Sequence, residues 1–154
     1  ISYLTIELHG AIPQEFRPLI GNRIYGCDDC QLVCPWNKFA GKSTLPDFDA
    51  RPGMADSSLL TLFAWNEADF LQRTEGSPIR RVGHERWLRN IAVALGNALA
   101  SPLDEANRAE IRSALAAALE RSSPLVQEHI EWALAQHLCD TPSPHAPHKK
   151  EKRP

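Results

Sequence analysis

The sequence predicts a mostly α-helical chain in two unequal parts, on three observations. Residues 26–36 read GCDDCQLVCPW, which sets Cys27, Cys30 and Cys34 in C-x2-C-x3-C-P spacing. From residue 57 on, apolar side chains recur at the offsets of one helix face in several successive segments. Two of those segments match each other at a period of 39 residues, Ile91 with Ile130, Ala94 with Ala133 and Leu95 with Leu134, a period in the range of HEAT-type helix pairs. The expected architecture is a partial ferredoxin-like iron–sulfur module over residues 1–40 and a linker or wrapping loop over 41–56. A HEAT-like α-helical repeat domain over 57–139 and a disordered tail over 140–154 follow.

Element by element, Ser2 is a candidate cap for a short helix through Glu7, although the β-branched residues there also fit a strand. Pro13 suits the first turn of a second short helix through Leu19, which Gly21 ends. GKSTLPDFDARPGMAD, residues 41–56, has turn-forming composition and no period. Ser57 or Ser58 opens LLTLFAW, and Asn66 opens EADFLQR. Longer helices are expected over His84–Leu99, Asp104–Glu120 and Pro124–Leu138. The Pro-rich polar run after Asp140 cannot build a core.

The bulk numbers are those of a globular protein: 154 residues, 43% apolar, 23% charged and a net charge of −2. No apolar run approaches the roughly 20 residues of a membrane helix, and the first residues do not have the basic-then-apolar pattern of a signal peptide. Three of the four cysteines fall within eight residues, which reads as metal or redox chemistry in a reducing, cytoplasmic setting rather than a secreted disulfide framework. The chain opens at Ile1 directly in ISYLTIE, and the expectation is that it is the C-terminal part of a longer protein.

An iron–sulfur cube takes thiolates, and C-x-x-C puts two of them on one turn. Set against the ferredoxin run C-x2-C-x2-C-x3-C-P, Cys27, Cys30 and Cys34 are the second, third and fourth positions, and the first falls on Ile24, which cannot ligate. The fourth cysteine of such a run serves the other cluster, so Cys27 and Cys30 are expected in one cluster and Cys34 in its partner. Two clusters need about eight thiolates, so most of the ligands are expected outside this chain. Zinc would take the same thiolates but ordinarily with a second C-x2-C or a His pair, and neither is well placed here. A thioredoxin-like C-x-x-C needs a βαβ context that is absent. Asp28 and Asp29, beside the ligands, either lower the cluster potential or point into solvent; Trp36 is expected to be a packing residue rather than an electron stepping stone.

Residues 72–90, QRTEGSPIRRVGHERWLRN, hold Arg73, Arg80, Arg81, Arg86 and Arg89 against Glu75 and Glu85. Such a local excess is either the footprint of an anionic partner or a solvated helix face with i,i+4 pairs such as Glu85 to Arg89. His84 reads as a cap or surface residue.

Together, ISYLTIELHGAIP, RPLIGNRIYGCDDCQLVCPWNKFA and RRVGHERWLRNIAVALGN resemble the C-terminal half of the epoxyqueuosine reductase family, from Ile1 to about Leu138. The resemblance implies two [4Fe–4S] clusters, a cobalamin held mainly by an upstream module, and reduction of epoxyqueuosine to queuosine at the tRNA wobble position. It implies Cys27 and Cys30 on the cluster nearer the cobalamin, Cys34 on the other, and no ligand at Cys139. A further cysteine is implied immediately before the ISYLTIE segment. Ser2, Tyr25 and Asp28 are implied in the cobalamin vicinity because they flank ligands. With a tRNA substrate, the five arginines become candidate phosphate contacts. The implied protein is a cytoplasmic monomer off the membrane, served by an electron donor, and this chain by itself is expected to be inactive. A tRNA-docking module without catalysis, or a zinc-stabilised helical scaffold, are the alternatives.

Overall fold

The structure, a computed structural model, describes residues 1–41, 43–45, 54 and 56–136. Cys139, the tail 140–154, the last residues of the final expected helix and most of the loop 41–56 lie outside the described residues.

Among the described residues every regular element is helical. The chain begins in a π-helical turn, Tyr3–Glu7, closed by the Leu8 amide on the Tyr3 carbonyl at 2.9 Å. Ser2 makes no capping bond with its side chain; it sits in helical backbone at the head of the turn. Pro13 then leads into a 3-10 turn, Gln14–Phe16, and helix α1, Arg17–Ile20, which stops at Gly21 with φ of 63°. Helix α2 is Asp29–Leu32, and a 3-10 helix over Pro35–Phe39 follows, begun by the proline.

The helical part comprises α3 (Leu59–Phe63), α4 (Glu67–Arg73), α5 (Gly83–Leu99), α6 (Glu105–Leu119) and α7 (Pro124–Leu134). Side chains that accept otherwise unpaired amides set the starts of α3, α4 and α6, while α7 begins on Pro124. Ser58 accepts from Thr61 N, Asp104 from Asn107 N, and Asn66 and Asp69 form a reciprocal capping box. Between α4 and α5 a 3-10 helix, Pro78–Val82, carries Arg80 and Arg81.

One core joins α3 to α7, with Trp65 stacked on Trp87 and Phe70 tilted against Trp87. Helices α5 and α7, which carry the 39-residue match, pack against each other. Gly96 permits the approach: a Cβ there would lie 2.6 Å from Trp132 and 2.9 Å from the Ala133 Cα. A second core, Ile12, Ile20 and Val93 flanked by Leu4, Leu8 and Trp132, lies between the first 20 residues and the α5–α7 pair.

Candidate metal centre

The approach to the first cysteine is held from below. Gly26 takes φ of 66°, a left-handed conformation open to glycine, and Asp28 takes φ of 51°. Two reversals on either side of Cys27 turn the chain out of the core and into α2, which carries Cys30 on its first turn. The Cys34 amide donates to the Gln31 carbonyl at 3.1 Å, and Pro35 then prevents α2 from continuing. Cys30 is exposed, Cys27 and Cys34 are half-buried, and all three are free thiols. This donor set suits soft iron. Among the described residues, no three Cys, His, Asp or Glu side chains converge into a complete metal site. The Asp29 carboxylate is forked by Arg23 at 3.0 and 3.2 Å, an exposed pair that places a cation beside the acidic residues next to the ligands.

A shallow hollow of about 250 Å³ adjoins Cys27. Tyr25 and Asp28 line it together with Gly26, Ile79 and Trp87, whereas Ser2 is exposed and not in its lining. It is smaller than the roughly 300–1,000 Å³ usual for small-ligand pockets. A corrin is larger still, so these residues do not by themselves fit a cobalamin.

The arginine-rich stretch divides in two. Arg89, expected on phosphate, is fully buried. Its Nη1 donates to the carbonyls of Leu8 and Gly10, both at 2.7 Å, its Nη2 to that of Leu4 at 2.8 Å, and its Nε to Asn90 Oδ1 at 3.1 Å. Every guanidinium nitrogen is spent on the protein, and that corrects the expectation of a nucleic-acid contact and of a surface pair with Glu85. Burial, with Arg86 nearby, lowers its pKa to about 10, against a smaller opposing pull from Glu85. Arg86 also turns inward, donating to the carbonyls of Ile6 and Arg81 at 2.9 Å. Arg73, Arg80 and Arg81 are exposed. Arg73 lies over the Trp65 ring at 5.1 Å, and Arg81 meets Glu7 at 2.8 Å. His84 donates from Nε2 to the Trp65 carbonyl at 2.7 Å, a tie between the head of α5 and the α3–α4 turn. Trp36 is 72% exposed against Phe39, with ring centroids 5.5 Å apart, which corrects its assignment to packing within this chain.

What the sequence did not disclose is the polar stripe that mounts residues 1–26. Asn90, fully buried, donates to the carbonyls of Thr5 and Ile24; Asn97 donates to those of Arg17 and Gly21, both at 2.9 Å. From α7, His129 Nε2 accepts the Ile12 amide at 3.1 Å and Glu128 pairs with the buried Arg17. Arg89 and Asn90 stand 39 residues before Glu128 and His129, so both copies of the repeated pattern clasp the same segment. The available signal was the spacing Arg86, Asn90, Asn97, polar positions on one face of α5, a helix most of whose residues are buried.

Residues 1–37 match the family model for a 4Fe-4S double cluster binding domain. The epoxyqueuosine reductase of Alicycliphilus denitrificans is 65% identical over 138 residues, which are 90% of this chain and 38% of that protein. That of Xanthomonas campestris pv. campestris is 60% identical over 137 residues, 89% of this chain and 37% of that protein. A crystal structure of epoxyqueuosine reductase with an epoxyqueuosine-modified tRNA-Tyr stem loop is similar with a TM-score of 0.59 at 27% identity, over 86% of this chain and 42% of that one. The chain therefore spans little more than a third of the length of these curated relatives. Over the portion it spans, the chain is similar to these epoxyqueuosine reductases in sequence and in fold.

Proposed function

We propose that this chain serves a reductase that converts epoxyqueuosine to queuosine in tRNA, with residues 1–40 supplying part of the ligand set of two [4Fe–4S] clusters and the helical residues 57–136 docking the tRNA. The observation that carries the reading is three free thiols, presented by two backbone reversals and a proline stop, inside a segment that matches a double-cluster domain. Cys27 and Cys30 ligate one cluster and Cys34 the other; the remaining thiolates come from the rest of the protein. The clusters supply one-electron transfer at potentials set by burial and by hydrogen bonds to sulfur.

This chain's own part is to hold the thiolates, to fix their approach through the clasp on α5, and to put cations where an anionic backbone can meet them. Arg73, Arg80 and Arg81 are the outward-facing candidates for tRNA phosphates. Tyr25 and Asp28 border the hollow beside Cys27 and form at most one edge of a cobalamin site; Ser2 stands outside it.

Loss of the epoxide oxygen as water takes two electrons and two protons. The test uses the intact protein, reconstituted anaerobically, with a chemical reductant and an epoxyqueuosine-bearing stem loop. The expected product is lighter by one oxygen, and the protein is brown with about eight irons. A colourless protein that binds zinc, or one that binds the stem loop without reducing it, would replace the reading with one of the two alternatives.

A further inference from the structure

Two buried side chains outside any ligand set fix the backbone that leads into Cys27. Thr5 is fully buried in the opening π-helical turn. Its Oγ1 accepts the Gly26 amide at 2.9 Å and donates to the Ile1 carbonyl at 3.0 Å. Asn90, fully buried on α5, donates through Nδ2 to the Thr5 carbonyl at 2.7 Å and to the Ile24 carbonyl at 2.9 Å. The orientation of that amide is settled by its neighbour: Arg89 can only donate, and it donates to Asn90 Oδ1 from Nε and Nη2 at 3.1 and 2.9 Å. Arg89 is in turn anchored on three carbonyls of residues 4–10.

The Ile24 carbonyl and the Gly26 amide, just ahead of Cys27, are thus pinned by one connected network. Among the described residues, the 28–41 segment that carries Cys30 and Cys34 has no comparable buried network, and its large apolar side chains are exposed. Outer groups of this kind orient metal ligands, and their removal typically weakens metal binding about 10- to 100-fold. We propose that Thr5 and Asn90 are positioning residues for the cluster that Cys27 holds, setting the placement of its thiolate and, through it, that cluster's potential. The proposal rests on the cluster reading above.

Thr5→Val keeps the shape and removes the hydroxyl, leaving the Gly26 amide without its acceptor. Thr5→Ser restores the hydroxyl. Asn90→Asp keeps an acceptor for Arg89 but loses both donated bonds. The measurements are made on the intact, reconstituted protein: iron per chain, iron retention against a chelator, electron paramagnetic resonance of the reduced clusters, and a redox titration of each signal. In Thr5→Val and Asn90→Asp, the signal that Cys27→Ser alters should shift, with its midpoint potential, and that cluster should hold iron roughly tenfold more weakly. The other signal should stay at its wild-type position, and Thr5→Ser should return both to wild type. Unchanged signals and potentials in Thr5→Val beside a lowered melting temperature would reduce the network to a packing device and overturn the proposal. Should Thr5→Val fail to fold, Asn90→Asp and Thr5→Ser decide it: wild-type spectra in Asn90→Asp, or a defect in Thr5→Ser equal to that of a non-folding variant, overturn it equally. A wild-type protein that takes up no iron would overturn the cluster reading itself, a result distinct from iron-loaded wild type with an indifferent Thr5→Val.

Discussion

Residues 1–26 and the described residues of 27–45 are built on opposite principles. The first stretch leaves Tyr3, Phe16 and Leu19 exposed but buries Ile12 and Ile20 against Val93, and it hands main-chain carbonyls to Arg86, Arg89, Asn90 and Asn97 on α5. The second stretch leaves Leu32, Val33, Trp36, Phe39 and Leu45 between 60 and 79% exposed. Contiguous exposed apolar patches larger than a few hundred Å² mark surfaces that meet something else. The boundary between the two regimes falls at Gly26 and Cys27, where the chain reverses. Under the cluster reading proposed above, such a division has a use: one half mounts on the helices and the other presents its cysteines.

The comparison breaks most forcefully at Arg89. Arg89→Met keeps the length of the side chain and strips the donors from three carbonyls in residues 4–10 and from Asn90. Unpaired buried groups cost about 1–3 kcal/mol each, against which the relief of a buried charge acts, for a net loss of about 3–5 kcal/mol. Denaturant unfolding would measure it. A loss below about 1 kcal/mol, less than one such unpaired group, would show that the clasp on residues 1–26 contributes little.

His129 is the next largest. Its Nδ1 donates to the Leu125 carbonyl at 2.7 Å while Nε2 accepts the Ile12 amide, an arrangement only the neutral ring can make. Burial lowers its pKa to about 4, and the cations of Arg17 and Arg89 add to the effect, against the Leu125 carbonyl and Glu128. The folded value lies below the unfolded value of 6.5, so between them the unfolded chain binds a proton that the folded chain refuses. The contribution is fully present above about pH 6.5 and is lost as the pH falls towards about 4, to a total of about 3 kcal/mol. Wild type should lose stability over that window relative to His129→Gln; parallel pH profiles for the two would contradict the clasp from α7.

Gly96→Ala tests the platform rather than the clasp. The new methyl group meets Trp132 and the backbone of Ala133, so α7 must shift away from α5. Overpacking of this kind costs about 1–3 kcal/mol, reduced by up to about 1 kcal/mol of helix propensity. Thermal melting should drop, and an unchanged melting temperature would mean the two helices yield freely.

The outward arginines sharpen the same contrast at the scale of a surface. Arg80→Gln with Arg81→Gln should weaken tRNA binding and flatten its log–log salt slope by roughly 0.7 to 0.9 for each phosphate left unneutralised, with the melting temperature almost unchanged. Superimposable salt slopes would return Arg80 and Arg81 to the role of solvated surface. Arg89, on the same stretch of sequence, should affect stability first.

Much of this was legible beforehand. The helix starts at Ser58, Asn66 and Asp104 follow from capping chemistry that acts within one turn, the start at Pro124 from the fixed φ of a first-turn proline, and the structure has all four where the sequence puts them. The cysteine spacing and the Pro35 stop are equally local. The clasp was not legible, because an arginine that faces carbonyls and one that faces phosphate have the same sequence signature; only the fold decides which side of α5 residues 4–10 occupy. Trp36 failed in the other direction. Aromatic residues are usually packed, and nothing in CPWNKF announces that the described chain offers Trp36 no cover.

That failure supplies the smallest expected effect. Val33 and Trp36 are 79 and 72% exposed, so they have little burial to lose in this chain. Val33→Ser and Trp36→Ser should each change the stability of the 154-residue chain by less than about 0.5 kcal/mol, as surface substitutions do. The equivalent step on the other side of the boundary, Ile12→Ser, removes a fully buried side chain that packs beside Val93 and should cost several-fold more. The same three variants in the intact protein give the sharper comparison. Ile12→Ser should destabilise it much as it does the chain, because its neighbours on α5 are already in place. Val33→Ser and Trp36→Ser should become costly only there, if the part that brings the remaining thiolates also covers them. Trp36 fluorescence reads the change directly, since an indole moved from water to an apolar contact shifts its emission to shorter wavelength. Equal emission from chain and intact protein, with both serine variants neutral in each, would leave the exposed face of residues 27–45 as ordinary surface and the division at Gly26 as a matter of packing alone.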